Sequence, residues 1–114
     1  NDYPFSTKKT LEQVDGDRDL LKDQIDIFSG QTRQQLQILR ESVAAKDAPT
    51  VRRAAHTIKG SVANFGAQPA FELAFCLEQM GADGALDQAP AALDALAAEL
   101  VRLESALREF VDTQ

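Results

Sequence analysis

The chain's only histidine, His56, stands in the stretch RAAHTIKGSVANFG, Arg53 to Gly66. Lys59 follows three residues later and Gly60 four, with Ala63 a further turn on. On a helix, residues three and four apart share a face, so the imidazole would meet an ammonium beside two residues with almost no side chain. A neutral imidazole nitrogen can attack phosphorus, and an ammonium one turn away can pair with phosphoryl oxygens. Phosphoryl transfer asks a protein chiefly for positioning and charge compensation. The cleared surface would admit a second protein carrying the phosphoryl group. A histidine with no pocket of its own must borrow the rest of its active site from a partner.

Other chemistries fit less well. A lone histidine on a helix is most often a solvated or packed side chain, and a motif match is only a hypothesis. A metal site takes three or four ligands, and this chain offers one histidine and one distant cysteine, Cys76. Ser61 paired with His56 lacks the strained turn of a hydrolase nucleophile, and a helical bundle rarely builds an oxyanion hole. Cys76 lies in an apolar segment and reads as buried filler. Arg40, Arg52 and Arg53 read by default as a solvated face.

The elements that position His56 follow from apolar periodicity. Leu21, Ile25, Phe28, Leu36, Leu39 and Val43 recur after Gly16-Asp17, with polar Thr32 filling the gap. That predicts a first long helix of about seven turns, capped by Asp17. Asp47-Ala48-Pro49 ends it, since proline cannot continue the hydrogen-bond ladder but suits the first turn of the next helix. The second helix is expected from Pro49 to Phe65, with Val51, Ala55, Ile58, Val62 and Phe65 inward and Gly66 closing it. A third is expected from Pro69 to Gly81 on Ala70, Leu73, Leu77 and Met80. After a connection from Ala82 to Pro90, a fourth carries Leu93, Leu96, Leu100, Leu103, Leu107 and Phe110. The expected fold is all-α: an up-down antiparallel four-helix bundle. The segment FSTKKTLEQV adds a short extra N-terminal helix, and residues 1–114 read as a single domain.

At about 100° per residue, His56 falls about 140° from Val51, on the flank of the bundle rather than in its core. Arg52, Lys59, Gly60 and Ala63 fall on the same side. Gly60 costs about 1 kcal/mol relative to alanine in a helix interior, so something other than helix propensity keeps it there.

The totals agree with a helical domain. The 114 residues are 44% hydrophobic and 26% charged, which suits a folded chain with one modest core. The net charge of −6 repels phosphate backbones and anionic membrane, so neither nucleic acid nor a membrane surface is an expected partner. No apolar run approaches the roughly 20 residues that span a bilayer. A single cysteine allows no internal disulfide, which suggests a reducing, cytoplasmic setting. Asn1 is not an initiator methionine, which suggests a domain excised from a longer chain, such as the cytoplasmic portion of a membrane-anchored sensor kinase.

The stretch AHTIKGSVANFGA closely resembles the signature of histidine-containing phosphotransfer (HPt) domains of multistep phosphorelays. The resemblance covers nearly the whole chain: GDRDLLKDQIDIF is similar to the family's first long helix, AAKDAPTVRRAAH to its approach to the histidine, and FELAFCLEQMG to the helix that follows. It implies that His56 is the phosphoacceptor, Lys59 the charge partner of the phosphoryl group, and Gly60 the small residue that opens the docking surface. Arg52 and Ala63 share that surface. Glu78, 22 positions after His56, falls where the family carries Gln or Glu to hydrogen-bond and orient the imidazole. The sequence departs from the pattern at Ile58, Val62 and Pro69, and at Ala82, where some members carry a basic residue.

The resemblance implies a phosphorelay intermediate. His56 would accept a phosphoryl group from a receiver-domain aspartyl-phosphate and pass it to another receiver. The expected partners are response-regulator receiver domains and a hybrid sensor histidine kinase, and a monomer is expected. No cofactor is expected on this chain, because the Mg²⁺ of such reactions belongs to the receiver. Without a nucleotide-binding signature the chain is not itself an ATP-dependent kinase. Two other readings share some of the features: the phosphoacceptor domain of a chemotaxis-type histidine kinase, and a helical adaptor that works without phosphorylation.

Overall fold

Two aspartates start the helices that matter most here. In the computed structural model, which describes residues 3–114, Asp17 Oδ1 accepts the Leu20 N–H at 3.1 Å and opens α2 (Arg18–Ala44) after a short α1 (Thr7–Glu12). Asp47 accepts from the Thr50 N–H at 3.3 Å and the Thr50 hydroxyl at 2.6 Å, and opens α3 (Ala48–Ala63). The Thr50 hydroxyl, then its backbone N–H, hold the Asp47 carboxyl below its ordinary range. Pro49 sits in the first turn, where its missing N–H leaves no bond unmade. The chain continues into α4 (Gln68–Asp83) and α5 (Ala89–Asp112).

The expected bundle is what forms. Each long helix packs on its neighbours in the order α2–α3–α4–α5, and α5 closes back on α2. Leu21, Ile25, Leu39, Val51, Ile58, Val62, Leu77, Leu96, Leu103 and Leu107 are all but fully buried. Phe28 and Phe65 meet edge to face across the core, centroids 5.1 Å apart. Leu36 and Val43 are only half-buried. Thr32 is 7% exposed, and its Oγ1 has no hydrogen-bond partner among the described residues.

The N-terminal segment does form helix α1. Ser6 caps it, accepting from the Lys9 N–H at 3.1 Å, and the Ser6 N–H donates to Phe65 O at 2.8 Å. Tyr3 and Phe5 stack on each other and meet Phe110 edge-on, so the segment closes the end of the bundle where α3 turns into α4 and α5 finishes. Asn1, and any reading placed on it, lies outside the described residues. Among the described residues no helix is long and apolar enough to cross a membrane.

On α3 and α4 the helix ends and faces depart from the sequence expectation. The second helix stops at Ala63 rather than Phe65, because Gly66 at φ +61° turns the chain and the Ala67 N–H bonds back to Val62 O at 3.2 Å. Gly81 does not end α4; the helix runs to Asp83, and Gly84 takes the left-handed φ of +67°. The inward line of α4 is Ala70, Ala74, Leu77 and Gly81, all buried, with Leu73 and Met80 half-buried at its edges. Small residues on that line let α4 lie close along α3.

Candidate functional site

The site forms on the seam between α3 and α4. His56 projects from the middle of α3, off the buried line of Val51, Ala55, Ile58 and Val62, and its side chain is 66% exposed. On α4, Glu78 follows the fully buried Leu77 and is only 8% exposed as a residue. Its Oε2 lies 2.7 Å from His56 Nδ1. An ionised carboxylate only accepts, so Nδ1 carries the hydrogen. Nε2, on the far side of the ring, then keeps its lone pair.

Lys59 completes a triad through Glu78. Its Nζ stands 2.6 Å from the other carboxylate oxygen of Glu78, as an ion pair not aligned like a directed hydrogen bond. Burial works against ionisation of Glu78, yet the Lys59 ammonium and the imidazole N–H outweigh it and hold the carboxyl below its ordinary range. The ammonium also lies 5.8 Å from the Phe71 ring centroid and 5.2 Å from that of Phe75. Such cation–π contacts keep a lysine against a surface that would otherwise release it.

The structure brings His56, Lys59 and Glu78 together and spreads the remaining candidates along α3. Arg52 is exposed and lines, with Arg53, His56, Thr57 and Glu78, a surface cavity of about 360 Å³. Gly60 is exposed, and a Cβ built on it would meet nothing within 4 Å. It is therefore not a packing glycine. Ala63 is half-buried near the end of α3, outside that cavity.

Some neighbours escape the sequence reading. Arg53, read as a solvated face, lines the cavity; its position three residues before His56 is the signal that could have flagged it. Phe75 is a large aromatic left 44% exposed beside Lys59, and it lies one turn before Glu78. Cys76 is exposed, not buried filler, because the inward positions of α4 pass it by. The Thr57 and Ser61 hydroxyls donate back to Arg53 O and Thr57 O at 3.0 and 3.1 Å, so Ser61 is turned away from the imidazole.

An Hpt domain family model matches residues 23–106, which include the whole of α3 and α4 and most of α2 and α5. No curated protein sequence matches the chain. Among solved structures, the chain resembles the crystal structure of histidine-containing phosphotransfer protein B from Pseudomonas aeruginosa PAO1, at a TM-score of 0.88 and 22% identity over 96% of each chain. At that identity the likeness speaks for the fold.

Proposed function

The chain belongs to the Hpt family, and on that premise we propose that His56 Nε2 accepts a phosphoryl group from an aspartyl-phosphate on a receiver domain and passes it to the aspartate of a second receiver. In the first step the phosphorus–oxygen bond of the acyl phosphate breaks, the nitrogen–phosphorus bond forms, and the donor carboxylate leaves with the bonding electrons. No proton has to move, because Nδ1–H stays on Glu78. The second step is the reverse reaction on another partner.

The observation that carries this reading is the 2.7 Å contact between His56 Nδ1 and a buried Glu78, under a ring that is otherwise largely exposed. A buried acceptor fixes the tautomer and ring angle, as it does for other catalytic histidines. Lys59 holds the other oxygen of that carboxylate at 2.6 Å. Arg52, Gly60 and Ala63 form the surface on which the receiver docks. The Mg²⁺ of the reaction would be held by the receiver.

His56→Gln tests the reading. With a phosphorylated receiver as donor, the wild-type chain should acquire an acid-labile phosphate and the variant none. The helical circular dichroism should be unchanged, and because Gln can still donate an N–H toward Glu78, the loss of stability should not exceed about 1 kcal/mol, the net worth of one hydrogen bond. Label on the variant, or label on the wild type only with a kinase and ATP, would overturn the receiver-to-histidine assignment.

A further inference from the structure

Transfer changes the charge around His56. The phosphoryl group carries up to about two negative charges once bound, and the ring, still protonated at Nδ1, carries one positive. Glu78 faces that ring N–H, which leaves Lys59 as one ammonium against a dianion. Lys59 is also turned elsewhere. It pairs with Glu78 Oε1 and lies against Phe71 and Phe75, with its side chain 20% exposed, and it is not among the residues that line the cavity beside the imidazole.

The cations of that cavity are Arg52 and Arg53. They precede His56 by four and three residues, so they flank it one turn toward the start of α3. Neither forms a salt bridge with a described carboxylate. Arg53 Nη2 donates only to the Thr50 hydroxyl, at 3.1 Å. A second depression of about 510 Å³ continues from both arginines to Pro49, Gly81 and Ala82. The sequence from Ala48 to Phe71 contains no acidic residue. In a chain of net charge −6, α3 is a cationic helix: Arg53 stands near enough to Asp47 at the helix start to lower that carboxyl, but neither guanidinium is in salt-bridge contact with it, and both line the cavity beside His56.

We propose that Arg52 and Arg53 form the binding site for the phosphoryl dianion on His56, while Lys59 chiefly holds the carboxylate that orients the ring. A guanidinium presents paired N–H donors that match two phosphoryl oxygens, and it stays charged at any working pH. This assignment rests on the phosphotransfer reading above.

The test uses phosphoramidate, a small donor that needs no docking surface. The wild-type protein, Arg52→Ala/Arg53→Ala, Arg52→Lys/Arg53→Lys and Lys59→Ala are each loaded, and the phosphohistidine ³¹P resonance is followed against pH. Neighbouring cations favour the dianion. The double-alanine protein should therefore titrate at a higher pH, by on the order of half a unit, and load several-fold less. The lysine pair should fall between it and wild type, and Lys59→Ala, which acts on the ring only through Glu78, should move the midpoint less than the double-alanine protein does. Circular dichroism confirms that each variant is folded, and a purely structural role for the arginines would not move the ³¹P midpoint. Unchanged titration and loading in the double-alanine protein, or a shift confined to Lys59→Ala, overturns the proposal. Absence of phosphoryl on wild-type His56 overturns the phosphotransfer reading itself, and this one with it.

Discussion

Gly81 on α4 lies against the backbone of Arg52 on α3, so close that a Cβ at position 81 would stand 2.6 Å from Arg52 N and 2.8 Å from Ala48 O. Neither atom belongs to a flexible side chain that could step aside. One turn along the same seam, Glu78 reaches His56 at 2.7 Å. The bare backbone at Gly81 thus sets the helix separation at which a carboxylate on α4 can hold an imidazole on α3.

Gly81→Ala should therefore destabilise the bundle by about 1–3 kcal/mol, as overpacking does, even though alanine favours a helix by about 1 kcal/mol over glycine. The folded fraction should also transfer phosphoryl more slowly, because forcing the helices apart draws Glu78 away from Nδ1. Thermal melts and transfer rates per folded molecule measure the two effects. A variant with wild-type stability and rate would show that the close approach positions nothing.

Much of this is legible in the sequence, and the exceptions share a cause. The stripe of α5 reads correctly because large apolar residues mark its buried face; on α2 it holds at Leu21, Ile25, Phe28 and Leu39, while Ser29, Thr32 and Ser42 are buried and Leu36 and Val43 only half so. On α4 the buried face is built from Ala70, Ala74 and Gly81 as well as Leu77, so a reading that follows large residues drifts to Leu73 and Met80. Gly81 and Gly84 look alike as helix stops. Only the packing of α3 shows that one is needed for close approach and the other for its positive φ. The local run His56-Lys59-Gly60 can be picked out by spacing alone, whereas Glu78 joins it across two helices, which periodicity cannot supply; there the resemblance gave the residue. Arg53 reads as surface because charge alone does not distinguish a solvated arginine from one beside a cavity; only its spacing of three from His56 points to the site.

Gly60 is the counterpart of Gly81. Open space surrounds its missing Cβ, so Gly60→Gln should hold or raise stability, by up to about 1 kcal/mol on helix propensity. If Gly60 lies on the proposed docking surface, transfer from a receiver should nevertheless slow markedly, because the new side chain would stand in the partner's way. Phosphoramidate, which is small, should be less affected. A variant that accepts phosphoryl from the receiver at the wild-type rate would remove the docking role from Gly60.

Thr32 buries a hydroxyl whose oxygen has no partner among the described residues. An unsatisfied buried polar group costs roughly 1–3 kcal/mol. Thr32→Val keeps the branched shape and removes the hydroxyl, so it should stabilise the bundle by about 1 kcal/mol, or roughly 3–5 °C in melting temperature for a domain of this size. It lies on α2, outside the His56 triad, and phosphotransfer should not change. Destabilisation would mean that the hydroxyl is satisfied in solution.

Glu78 links the site to pH. Its carboxyl is held below the ordinary value of 4.5, burial being outweighed by Lys59 and His56. A folded-state pKa below the unfolded value adds stability that is present above the unfolded value and is lost as pH falls through the folded one. Glu78→Gln keeps an acceptor for Nδ1–H but abandons the Lys59 ammonium. Wild type should accordingly be the more stable protein near neutrality, and its advantage should shrink as pH falls below about 4.5, the ordinary value. Denaturant melts of both proteins from neutral to acidic pH measure that difference. Glu78→Ala removes the acceptor altogether, and it should slow transfer without abolishing it, since Nε2 survives while its orientation is lost. Nitrogen NMR of the wild type should find the proton on Nδ1 and, after loading, phosphorus on Nε2. Phosphorus on Nδ1, or a stability difference that grows toward acid, would show that Glu78 does not hold the ring as an ionised acceptor.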